Sequence, residues 1–173
     1  MDTRNYLIAV ALGAAATATP AGAVAVSATQ NSNGRALILV PLTLTKIDDL
    51  DFGSIITSST SGTVALNADT SARTFTGGLV GTSTPAQRAY FGGAGTPNQQ
   101  VVVVVTPPAQ LKDSNGDTID VLALTLDKSG NPIRTVDPVA RTFFVGIGGI
   151  INIAANQPDG DYYATFQVTA NYQ

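Results

Sequence analysis

From Tyr162 onward the apolar positions fall on every second residue, Tyr162, Ala164, Phe166, Val168, Ala170 and Tyr172, while Asp161, Thr165, Gln167, Thr169 and Asn171 between them are polar. Alternation with period two is the mark of a strand with one buried face. Chain ends usually fray, so a strand this regular at the end of the sequence has to be held in a sheet. Upstream, short runs rich in Val, Ile, Thr, Phe and Leu recur about every ten residues between clusters of Gly, Asn, Asp, Ser and Pro. No window carries a sustained i, i+3, i+4 stripe. The pattern predicts strands at residues 36–47, 52–55, 62–66, 72–76, 88–91, 100–106, 118–126, 133–136, 141–145 and 161–172. Asn115-Gly116 predicts a tight hairpin turn with positive φ at both central residues, and residues 127–132 predict a second reversal. Many strands and no βαβ alternation make the expected fold an all-β sandwich.

Two runs break the alternation. Residues 101–105 are all Val, which suits a central strand of a sandwich or one covered at an interface. Ala36, Leu37, Ile38, Leu39 and Val40 are apolar on both faces, follow a polar lead over residues 29–34, and are cut off from the alternating Leu42 and Leu44 by Pro41. Proline cannot donate to a ladder. An uncharged, strand-prone and unpaired run is an aggregation hazard, so it has to be placed against something. It is either the first strand of its own sandwich or a strand lent to another chain.

Composition narrows the chemistry. The chain has no His, Cys, Trp or Glu. Acid-base catalysis by His or a tuned Glu, thiol nucleophiles and zinc ligation by Cys or His are thereby closed. The expectation is a protein that is not an enzyme, with no catalytic residue, no cofactor and no metal. Asp120 or Asp51 with Lys46 or Lys112 show no spacing that would make an acid-base pair. Asp113, Asn115, Asp117 and Asp120 resemble a calcium loop only briefly, because Gly116 comes too early and the bidentate Glu is missing; a hairpin tip is the better reading. Asp48, Asp49 and Asp51 read as a solvated bend, and Gly146, Gly148 and Gly149, lacking a following Lys and a helix, as a bulge or a close backbone approach. The net charge of −3, with basic residues scattered singly, gives no footprint for nucleic acid.

The first 28 residues carry a weakly basic start, a short Ala-rich apolar stretch, Pro20 and A-x-A triplets. They read as a secretory signal peptide cut after Ala25 or Ala28, with an uncleaved amphipathic or membrane helix as the alternative. The expected organisation is a signal peptide at 1–28, an N-terminal extension at 29–41 and a β-sandwich domain at 42–173.

The closing strand resembles that of chaperone-usher pilus subunits: a penultimate Tyr172, alternating Ala170, Val168, Phe166 and Ala164 before it, and Gly160 fourteen positions from the end. The longer pattern from Pro41 to Gly53 (PLTLTKIDDLDFG) through GTVAL, SARTFTGG and NIAANQPDGDYYATF is similar to a family of uncharacterised, pilin-like secreted domains common in alphaproteobacteria. The resemblance implies an Ig-like, pilin-type sandwich completed by a donor strand from a neighbouring subunit. Ala36, Leu37, Ile38, Leu39 and Val40 would be the donor. Gly160, Tyr162, Ala164, Phe166, Val168, Ala170 and Tyr172 would border the acceptor groove and be recognised by a chaperone. It further implies a surface fimbrium reached through the periplasm, identical subunits as partners with a periplasmic chaperone and an outer-membrane usher, and no stable membrane insertion of the mature chain. The competing reading is a monomeric secreted or surface module for binding or adhesion, with Tyr90, Phe91 and Tyr163 as its few candidate aromatics.

Overall fold

The computed structural model describes residues 29–173; the signal-peptide reading falls on residues 1–28, outside them. The chain falls into two units, Met1–Ala36 and Leu37–Gln173. In the first, residues 29–36 are exposed and carry no helix or strand. The second holds twelve strands: β1 Thr43–Asp48, β2 Ile55–Ile56, β3 Gly62–Leu66, β4 Arg73–Phe75, β5 Val80–Gly81, β6 Ala89–Ala94, β7 Gln100–Thr106, β8 Gln110–Lys112, β9 Thr118–Leu126, β10 Ile133–Thr135, β11 Thr142–Ile153 and β12 Gln167–Tyr172. One helical turn, α1 Asp127–Gly130, follows β9.

All pairings are antiparallel, and the second unit is an all-β sandwich. The larger sheet runs β1-β6-β11-β3-β4, with β9 on β11 and β8 on β9. The smaller runs β10-β7-β12, and β2 pairs with β5 apart from both. The odd-numbered side chains of the twelve-residue β11 share one face, and this face builds two cores. Phe143, Val145 and Ile147 meet Val101, Val103 and Val136, so the first half of β11 is roofed by the smaller sheet. Ile151 and Ile153 join Val64, Ile119 and Leu79; the hydrophobics packed against this second half are Phe52, Ile55, Phe75, Leu111, Val121 and Tyr162, none of which belongs to the smaller sheet.

Several sequence expectations hold: 62–66, 100–106 and 118–126 are strands with those bounds. The all-valine run is the central strand of the smaller sheet, with Val101 and Val103 buried and Val104 exposed. The glycines of β11 mark a close backbone approach, since a Cβ on Gly148 would lie 2.2 Å from the Leu66 carbonyl oxygen. They do not end the strand at residue 145 as expected, because glycines in an interior strand let neighbouring backbones close in while the ladder continues. The only slip beside them is in β9, where Leu122 is extra between Ala123, opposite Ile150, and Val121, opposite Ile151. The hairpin at Asn115-Gly116 forms, but only Gly116 has positive φ. The wider loop closes through Asp113 N–H to the Asp117 carbonyl at 3.1 Å, and the buried Asp113 carboxylate accepts from the amides of Asn115 and Asp117. That carboxylate serves the turn. The second reversal is left-handed, with φ of 53°, 59° and 78° at Lys128, Ser129 and Gly130.

Two further corrections concern length. The expected strand 36–47 is paired only from Thr43, and the expected strand 161–172 forms a continuous ladder only from Gln167, with one isolated bridge before it at Tyr163. The two- and three-residue β5 and β8 escaped prediction because such short strands carry no measurable period.

Asp137 accepts hydrogen bonds from the amides of Ala140 (2.7 Å) and Val139 (2.8 Å) in the turn before β11. These bonds favour the ionised form and hold its carboxyl below the ordinary value of 3.8. With the folded value depressed, the turn's contribution is complete above the unfolded-chain value and is lost as pH falls through the folded one. An NMR titration of the Asp137 carboxyl carbon should give a midpoint below the ordinary value of 3.8, and a midpoint at or above that value would contradict the assignment.

Candidate functional site

Each sheet ends in an edge strand facing the other's edge. Among the described residues β1 pairs only with β6, and β12 only with β7. Leu42 and Leu44 on one side, and Val168, Ala170 and Tyr172 on the other, pack against the first core yet remain half-buried. At one end the edges meet: a Cβ on Gly95 would lie 2.7 Å from the Tyr172 hydroxyl and 2.8 Å from Leu42 Cδ2. Toward the other end they diverge into a cavity of about 730 Å³ that begins at Leu50 and Phe166. Its walls are residues 50–57 and 158–164, and its floor is the second core, with Ile119, Val121 and Ile151.

The cavity follows from the topology. β12 ends its ladder at Gln167, so the smaller sheet stops short of the second half of β11. The chain between crosses the sandwich: Tyr163 exchanges two 3.0 Å backbone hydrogen bonds with Lys112 of β8, in the larger sheet, before residues 167–172 pair with β7 in the smaller. Even so, the burial alternation persists through all of residues 161–172. Tyr162, Ala164 and Phe166 therefore face inward and line the cavity, as the period predicted, although they belong to no ladder. Val168, Ala170 and Tyr172 continue the row along the β12 edge. Gly160 sits at the rim, against the Asp113 side chain.

Both walls are fixed. On one, the Arg73 guanidinium donates to the carbonyls of Phe52 (2.9 Å), Ser54 (3.3 Å), Thr82 (3.1 Å) and Thr84 (2.9 Å). On the other, the Tyr162 hydroxyl donates to the Pro158 carbonyl (2.8 Å) and accepts from Gln157, which also donates to the Thr118 carbonyl. Sequence reading missed Arg73 and Gln157. A lone Arg or Gln in a β-rich chain carries no motif, and four carbonyls converging on one guanidinium exist only after folding.

Ala36, Leu37, Ile38, Leu39 and Val40 enter no ladder. Leu37, Ile38 and Val40 are 60, 90 and 42% exposed. The cleft floor is apolar and no Lys or Arg lines it; its acidic neighbours are Asp51, Asp159 and Asp161. Among the described residues no group of three His, Cys, Asp or Glu side chains is placed to hold a metal, and no helix is long and apolar enough to cross a membrane. The candidate binding aromatics are dispersed. Phe91 packs edge-on against Phe166, Tyr90 stacks on Phe144 under Arg88, and Tyr163 stands alone at 72% exposure.

The second unit is thus a β-sandwich with an apolar-floored cleft where the segments leading from its two open edges part. A family model described as Domain of unknown function (DUF4402) matches residues 42–172, and the chain belongs to that family. No curated protein and no solved structure matches it at a significant level.

Proposed function

We propose that the protein is a structural subunit of a bacterial surface filament, exported through the periplasm and assembled head-to-tail by strand exchange. Ala36, Leu37, Ile38, Leu39 and Val40 of one copy would occupy the cleft of the next, adding an extended strand between the walls at residues 50–57 and 158–164. The observation that carries this reading is the coexistence, in one chain, of an unpaired two-faced apolar run and an apolar-floored cleft whose walls, residues 50–57 and 158–164, lead on from the open β1 and β12 edges. Such edges are templates for a further strand. The run and the cleft are different surfaces, so the contact is heterologous and propagates as a fibre instead of closing as a dimer. A periplasmic chaperone would cover the same cleft before assembly, and an outer-membrane usher would pass subunits to the growing end. An Ig-like, pilin-type sandwich is the fold to which this arrangement corresponds.

Deleting residues 35–40 tests the reading. The shortened chain should be exported and folded but monomeric, and negative-stain images of sheared cell surfaces should show no filaments. A synthetic peptide of residues 35–40 added to the purified monomer should raise its melting temperature in a concentration-dependent way, as any ligand selective for the native state does. Undiminished filaments from the deletion would end the hypothesis.

A further inference from the structure

The apolar segment is held at its root. Val40 belongs to no strand, yet both its backbone groups are satisfied: its N–H donates to Thr96 Oγ1 at 2.9 Å, and its carbonyl accepts from the Tyr172 hydroxyl at 2.7 Å. The same hydroxyl accepts from the Thr96 amide at 2.8 Å. Gly95, which has no side chain to obstruct the phenol, makes room for this arrangement. Pro41 adds stiffness, since the residue before a proline is confined to extended backbone.

We infer that Thr96 and Tyr172 form a clamp on Val40 that keeps segment 36–40 out of its own cleft and so reserves it for a second copy; the inference rests on the strand-exchange reading above. Reach decides the matter. Tyr172 and Phe166 stand at opposite ends of the β12 edge, six residues apart, or roughly 20 Å of strand. The cavity begins only at Phe166. With Val40 fixed beside Tyr172, Ala36 extends at most about 14 Å from it, short of the cavity in its own domain. Doubling back would also require a reversal through Val40 and Pro41, which the two hydrogen bonds and the fixed proline oppose. A neighbouring copy's cavity carries no such constraint, because the occupant approaches from outside. The penultimate tyrosine thereby acts on the donor side of exchange as well as at the groove edge.

The chain has no cysteine, so introduced ones report cleanly. The full-length protein carrying Ala36→Cys and Asp51→Cys, one site at the far end of the segment and one at the cleft mouth, is oxidised and run on a non-reducing gel. Freed back to Leu42, Ala36 reaches about 20 Å, far enough to meet the mouth of its own cleft. With the clamp intact, disulfides should link different molecules into a ladder that fades on dilution. Adding Tyr172→Phe or Thr96→Val, each of which removes one bond of the clamp, should shift the product to a concentration-independent, fast-migrating monomer linked within the chain. Using the two substitutions separately guards against one of them failing to fold. An unchanged ladder in both backgrounds would overturn the clamp and leave strand exchange standing. A monomer linked within the chain while the clamp is intact would also overturn it, and no disulfide in any background would overturn clamp and exchange together.

Discussion

Leu39→Asp is expected to leave each domain folded and to abolish growth from one chain to the next. Leu39 lies outside both buried cores, so its own sandwich does not depend on it. In a neighbour's cleft the substitution forfeits about 2 kcal/mol of aliphatic burial and adds at least about 2 kcal/mol for an unpaired polar group in an apolar site. No Lys or Arg lines that cleft, and Asp51, Asp159 and Asp161 stand beside it, so a new carboxylate meets like charge and no partner. A loss of about 4 kcal/mol corresponds to roughly a thousandfold weaker association. Sedimentation should find monomers where the unaltered chain gives polymers, at the same subunit melting temperature. Leu39→Met, which keeps volume and polarity, should polymerise normally. Polymers of undiminished length from the aspartate variant would remove segment 36–40 from the interface.

Arg134→Met should destabilise the domain by about 3–5 kcal/mol, the range for breaking one half of a buried ion pair. Arg134 is 2% exposed and pairs with the buried Asp127. Its guanidinium also donates to the carbonyls of Phe144, Asn131 and Ile133. One side chain thereby ties β10, in the smaller sheet, to β11 and α1 on the larger. Methionine fills the space but leaves Asp127 charged, buried and alone. Denaturant unfolding would measure the loss, and Asp127→Asn in the same chain should recover part of it by removing the stranded charge. A loss below about 1 kcal/mol, the scale of exposed pairs, would mean that water reaches the pair.

Neither residue of that pair was legible beforehand. Asp127 read as part of a turn and Arg134 as an ordinary strand position, because partners seven residues apart across a left-handed turn share no period or motif. The cleft was half legible. Alternation named the inward row Tyr162, Ala164, Phe166, Val168, Ala170 and Tyr172 correctly, since side-chain direction in extended chain follows from backbone geometry alone. It misjudged the ladder, because hydrogen-bond partners depend on which strands pass nearby. Residues 161–166 keep the alternating burial of a strand while changing sheets. The glycines of β11 misled in the opposite sense, since interruptions in hydrophobicity looked like interruptions in structure.

By itself the sequence determined that the fold is β throughout, which face of most strands is buried, that residues 36–40 differ from every alternating run, and that the side chains of common acid-base and thiol catalysis are missing. These are local properties, carried by side-chain chemistry and a two-residue repeat. Only the tertiary structure decided that β12 stops before it roofs the end of β11, that the two sheet edges part into a cavity, and that Tyr172 reaches back 132 positions to hold Val40. Those features come from contacts between distant parts of the chain, and such contacts take their geometry from the packed whole.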